Sequence, residues 1–194
     1  MKRFFRTAAI LGVSICAVPA ALAADPSPIG DWLVKDGYAN IRIDICAGKL
    51  WGIVAWEKKP GVDEENPDVT KKGRPTLGMP IILGFAQTKP NRWEGQIYNS
   101  ENGKLYSANV SMADDNTLDL EGCLVWPLCQ TQKWIRVTTP PAGALPLPPI
   151  KGAPTTPPAK QTAAKKGATP AVSDTCLRIV DEAAAQEKAS ATKK

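Results

Sequence analysis

Residues 28–46 read "PIGDWLVKDGYANIRIDIC". The second half alternates without a break. Ala39, Ile41, Ile43 and Ile45 fall on one face and Arg42 and Asp44 on the other, the period of two that a half-buried strand requires. Asp36-Gly37 stands just before it, and Asp-Gly favours a tight hairpin turn because both central residues can take positive φ. "GDWLV" therefore reads as the first strand of a hairpin. The pattern then repeats. Turn signals at Ala47 to Lys49, Lys89 to Asn91, Asn102-Gly103 and Asp114 to Asn116 separate the runs "LWGIVAW", "PIILGFA", "RWEGQIY", "KLYSANVSM", "TLDLEG" and "QTQKWIRV". Eight short strands joined by tight turns predict an all-β domain, a barrel or a sandwich. Gly30, Gly52, Gly84 and Gly95 lie within or at the start of these runs, where glycine permits bends and bulges. They favour an eight-stranded antiparallel up-and-down barrel. An interior of that size is either just filled by side chains or holds one small ligand.

The flanks are of another kind. Lys2, Arg3 and Arg6 precede the apolar run "AAILGVSICAVPAALA", which predicts a secretory signal over residues 1–23 with cleavage near Ala24. The barrel domain spans 24–138. From 139 to 172 there are nine prolines and no aromatic residue, a composition that cannot build a core and predicts a semi-extended linker reaching about 100 Å at ~3.1 Å per residue. Residues 173–194 then predict a short helix and tail, capped by Ser173 or Asp174, with Leu177, Val180 and Ala184 on one face. Without the signal the chain carries 21 basic and 19 acidic residues, and the basic excess lies in the tail. The domain thus lacks the basic face that a nucleic-acid partner needs. No run beyond the signal is apolar enough to span a bilayer.

The chain has no histidine, which excludes Ser-His-Asp and Cys-His nucleophile systems and His-ligated metal sites. Cys46, Cys123, Cys129 and Cys176 remain after cleavage. An even count in an exported chain suggests disulfides, with three connectivities open.

Two resemblances add to this reading. Gly30-Asp31-Trp32 at the start of the first strand, with Arg136 near the end of the last, resembles the lipocalin and calycin signature. That likeness implies a barrel floor made by Trp32, Trp134 and Arg136, the arginine packed across the Trp32 ring. The segments "GDWLVKDGYANIRIDICAGKLWGIVAW", "ENPDVTKKGRP", "WEGQIYNSENGKLY" and "GCLVWPLCQTQKWIRV" together resemble domain-of-unknown-function family 2147, small exported bacterial proteins with a lipocalin-like barrel. This implies a periplasmic location in a Gram-negative bacterium and no particular activity. The family commonly has a Cys-x4-Cys pair where this chain reads "CAGKLW", with Trp51 in the second position. Against that pattern the Cys123–Cys129 pair stays and Cys46 loses its partner. Cys46 is then either bonded to Cys176, stapling the tail helix to the barrel, or it and Cys176 are free or bonded between chains.

Several side chains are candidates for function. Tyr38, Trp51, Trp56, Trp93, Tyr98, Tyr106 and Trp126 either line a ligand pocket or simply fill the barrel, since aromatic residues dominate ordinary β cores. The loop "EKKPGVDEENPDVTKKGRP" carries Asp63, Glu64, Glu65, Asn66 and Asp68, oxygen ligands of the kind calcium takes. The spacing is not that of a calcium loop and lysines flank it, so a solvated loop is expected, with no metal. Asn66, Asp68 and Arg74 are its candidate recognition surface. The Cys123/Cys129 spacing is not that of a redox catalyst. The chain therefore reads as a non-enzymatic binding module without a cofactor, holding a small apolar or lipid-like ligand. The alternative is a filled barrel that docks on an envelope partner through its loop and tail.

Overall fold

The computed structural model describes residues 26–125, 128–139, 141–149 and 173–180. The expected signal, most of the linker, the tail beyond 180 and Trp126 lie outside them. Eight strands form one closed barrel in sequence order, every neighbour antiparallel. They are β1 (Gly30–Leu33), β2 (Ala39–Cys46), β3 (Lys49–Glu57), β4 (Pro80–Lys89), β5 (Arg92–Asn99), β6 (Lys104–Asp114), β7 (Thr117–Val125) and β8 (Leu128–Val137). Each expected turn joins two of them. Residues 174–180 form a short helix, α1.

Closure rests on the shortest strand. β1 pairs with β2 through Trp32↔Ile41 and with β8 through Trp32↔Arg136. Trp32 is fully buried and its Nε1 donates to the Pro28 carbonyl at 2.8 Å. The Arg136 guanidinium lies 4.2 Å from the Trp32 ring centroid and donates to the carbonyls of Asp115, Ile29 and Ser27 at 2.6, 2.8 and 2.6 Å. A cation over an indole face contributes about 0.5–2 kcal/mol, and here the same group ties the incoming chain to the β6–β7 turn. Floor and lid of this end are one residue pair, as the lipocalin resemblance implied. Above them Ile43, Leu50, Ile82, Phe85, Val110 and Leu118 fill the barrel. Ile45 lies on the expected face, paired with Leu50, yet is half exposed, because β1 pairs with β2 only as far as Gly30↔Ile43 and leaves Ile45 covered on one side.

The other end is organised by the long loop between β3 and β4. Asp63 is fully buried. Its carboxylate accepts from Tyr98 Oη at 2.7 Å, Asn66 Nδ2 at 2.7 Å and Arg74 Nε at 3.0 Å, and its backbone pairs with Arg74 and Gly73. A buried carboxylate with three donors is stable where an unpaired one is not. Gly103, with φ +66°, lets the β5–β6 turn lie against the Glu65 carbonyl, where a Cβ would collide.

Two outcomes follow. A Cβ at Gly95 would meet the Phe85 ring and its Cα, so Gly95→Ala should overpack the core by about 1–3 kcal/mol, read as a fall in Tm on the order of 5–15 °C. Burial, and then the hydrogen bond to Asp63, push the Tyr98 hydroxyl up to about 12. The folded state holds this proton more tightly than the unfolded chain, in which tyrosine titrates near 10. Tyr98 therefore contributes stability in full below pH ~10, lost as pH rises toward ~12. Denaturant midpoints measured across that window should fall more steeply for the wild type than for Tyr98→Phe.

Candidate ligand-binding cavity

The half of the barrel above the Phe85 and Val110 layer is hollow. A cavity of about 1110 Å³ opens at the end bearing the β3–β4 loop and the β1–β2, β5–β6 and β7–β8 connections. Binding clefts for small molecules run roughly 300–1,000 Å³, so this one is large enough for a lipid-sized guest. Ile41, Val54, Ile81, Ile97, Leu120 and Trp134 give it apolar walls and a base. Gln130 and Gln132 on β8 form a polar stripe on one side, and Gln132 Oε1 accepts from Trp134 Nε1 at 3.3 Å. Gly122 faces the same wall, and a Cβ there would meet nothing within 4 Å. Lys58, Lys59, Asn99, Ser100 and Glu101 ring the mouth.

The expected aromatic residues divide. Tyr38, Tyr98 and Tyr106 line the cavity. Tyr38 is half exposed at the rim, and Tyr106 Oη accepts from Asn102 Nδ2 at 2.9 Å. Trp134, expected in the floor, is buried one layer above Trp32 and forms the cavity base. Trp93 faces inward opposite Val110 and packs on the filled core instead of the cavity.

Trp51 and Trp56 do not line the cavity, and the register says why. Ile41 pairs with Val54 but Asn40 pairs with Trp56, so Ala55 is an extra residue in β3. Such a bulge reverses which side chains face in: Trp56 turns outward and Glu57 inward. Glu57 then lies at the mouth, its carboxylate accepting from Gly61 N at 3.2 Å and Thr76 Oγ1 at 2.7 Å. Trp51 alternates with inward Leu50 and Gly52 and faces outward, where a Cβ on Gly84 (φ +63°) would come within 3.3 Å of its Cζ2.

Asn66, Asp68 and Arg74 do not form a free recognition surface. Asn66 is buried in the Asp63 network, and Arg74 donates into it. Asp68 Oδ1 accepts from Thr70 N and Oγ1 at 3.0 and 2.7 Å. With Trp51, Leu105 and Ile179 all three border a groove of about 430 Å³ on the outer wall. Asp63, which organises the loop, is in the sequence one of five candidate oxygen ligands, four of them carboxylates. Its burial depends on Tyr98, 35 residues later, and no local pattern marks it.

The expected Cys123–Cys129 disulfide is present, and of the alternatives left open for Cys46 the structure has the bond to Cys176. The second spans 130 residues and places α1 on the outer wall. Among the described residues no helix is long and apolar enough to cross a membrane.

No functionally curated protein matches the sequence significantly. Among solved structures the chain is similar to protein HP1028 of Helicobacter pylori, described as belonging to the lipocalin family. The TM-score is 0.54 at 17% identity, over 58% of this chain and 84% of that one, a likeness that supports the lipocalin-like fold. The stretch 30–136 matches the family described as "uncharacterized protein conserved in bacteria", DUF2147, and the chain belongs to it.

Proposed function

We propose that this protein is an exported, periplasmic, non-enzymatic binding module that holds one small apolar or amphipathic molecule in its barrel. The observation that carries the reading is the hollow upper barrel: a cavity of about 1110 Å³ with aliphatic walls, a tryptophan base and a polar rim. Burying apolar surface there yields roughly 25 cal/mol per Å², and the arrangement sets a direction. The apolar end of a guest packs on Trp134 and Leu120, and its polar end stays level with Tyr38, Tyr106 and Lys58. Gln130 and Gln132 on the inner wall bind and orient but do not transfer protons at neutral pH. Two disulfides and the basic-then-apolar start of the chain support export, since disulfides persist in oxidising compartments. The cavity favours this reading over the rival role, an envelope-docking protein with a filled barrel.

Gly122 supplies the test. Because a side chain there points into open space, Gly122→Trp should plug the cavity and leave Tm within about 2 °C. Titration with N-phenyl-1-naphthylamine should give saturable one-to-one fluorescence enhancement with the wild type, weakened at least about tenfold, or 1.4 kcal/mol, in the plugged chain. Equal enhancement by both proteins would place the probe elsewhere and remove the basis for the reading.

A further inference from the structure

The β8 wall of the cavity carries amides where an apolar guest would be expected to meet aliphatic groups. Gln130, Gln132 and Trp134 line the cavity at alternate positions of that strand. Trp134 pairs with Leu118, Gln132 with Leu120 and Gln130 with Gly122. Residues two apart on a strand are about 7 Å apart along it, so Gln132 stands one layer above the buried indole and Gln130 one layer higher. Gln132 is half-buried and Gln130 is exposed. A Cβ on Gly122 would meet nothing within 4 Å, so the neighbouring strand leaves the space beside Gln130 open.

The hydrogen bonding of Gln132 is polarised. An indole N–H can only donate, so the group that Trp134 Nε1 meets at 3.3 Å is the carboxamide oxygen, Oε1. A carboxamide has one such oxygen and two N–H donors. With the oxygen held by the cavity base, the N–H groups are what Gln132 offers a guest. Other polar side chains of the wall are engaged within the protein. Tyr98 Oη donates to Asp63, and Glu57 accepts from Gly61 N and Thr76 Oγ1. Asn99 Oδ1 accepts from Glu101 N at 2.8 Å, and Tyr106 Oη accepts from Asn102 Nδ2. Lys58 and Lys59 are exposed at the mouth, where they meet the head of a guest and not its body. A hydrocarbon chain laid against Gln132 would strip water from its N–H groups and return no acceptor. A carbonyl oxygen at the same place removes that cost.

We propose that Gln132 is a specificity-determining residue of the cavity: its side-chain N–H groups donate to a carbonyl oxygen carried within the body of the guest, below the rim. The guest class is then an acyl ester or acyl amide, and not a plain alkyl chain with a polar head. This rests on the cavity reading above and adds the chemistry of the guest.

The test displaces N-phenyl-1-naphthylamine from oxidised residues 24–194 with a matched pair, 1-decanoylglycerol and 1-O-decylglycerol. The two differ only in a carbonyl against a methylene. The wild type should bind the ester at least about tenfold more tightly than the ether. Gln132→Glu, measured at pH 8 where a carboxylate is ionised, keeps an oxygen for Trp134 Nε1 and removes both donors. Gln132→Met removes the oxygen as well. In both variants the preference should fall to about one or below, and in Gln132→Glu that fall cannot be laid to loss of the Trp134 contact. Equal displacement by ester and ether in the wild type would overturn the carbonyl assignment and leave the cavity reading standing. A preference that survives in Gln132→Glu would place the selection elsewhere and overturn the assignment too. Failure of the probe to bind the wild type would overturn the cavity reading and the assignment with it.

Discussion

The Arg136 guanidinium over the Trp32 ring, with three backbone carbonyls around it, is the constraint on which this barrel depends. β1 has four residues and pairs with β8 at three positions, so the seam between first and last strands is a short ladder. Arg136 reinforces it from the end, binding the incoming chain at Ser27 and Ile29 and the β6–β7 turn at Asp115. Once that end is sealed, large side chains can pack down onto Trp32. The opposite end, freed from closing the barrel, can remain hollow.

That division explains the two characters of the interior. Near the floor, Phe85 presses against Gly95 so closely that no Cβ fits. Near the mouth, Gly122 faces nothing within 4 Å. The bulge at Ala55 keeps a second indole out of the cavity and puts Glu57 at the rim, where it holds the loop through Gly61 and Thr76. The loop's own anchor, Asp63, reaches Tyr98, which borders both the cavity and the outer groove.

Strand order, turns and floor were legible in the sequence because each rests on a local signal: alternation in "ANIRIDI", the turns at Asp36-Gly37 and Asn102-Gly103, and Trp32 and Arg136 at opposite ends of the domain. The two outer tryptophans were not, since a single extra residue in β3 reverses the facing of Trp56, and Trp51 lies out of phase with Leu50 and Gly52. Nor was the Asp63 network, whose partners lie 3, 11 and 35 residues away. Composition cannot say whether a barrel of this size is filled, because Gly122 and Gly95 are the same residue with opposite surroundings. The Cys46–Cys176 bond was one of the alternatives left open once Trp51 occupied the usual partner's place.

The central claim is that the upper barrel is a binding cavity, and native mass spectrometry tests it most directly. The oxidised protein, residues 24–194, would be mixed with single-chain amphiphiles below their micellar concentrations: dodecanoate, dodecylphosphocholine and dodecyl maltoside. The account predicts a single one-to-one adduct with at least one of them, displaced by N-phenyl-1-naphthylamine and absent from the Gly122→Trp chain. A bare mass with all three, or adducts equally abundant on the plugged barrel, would contradict it.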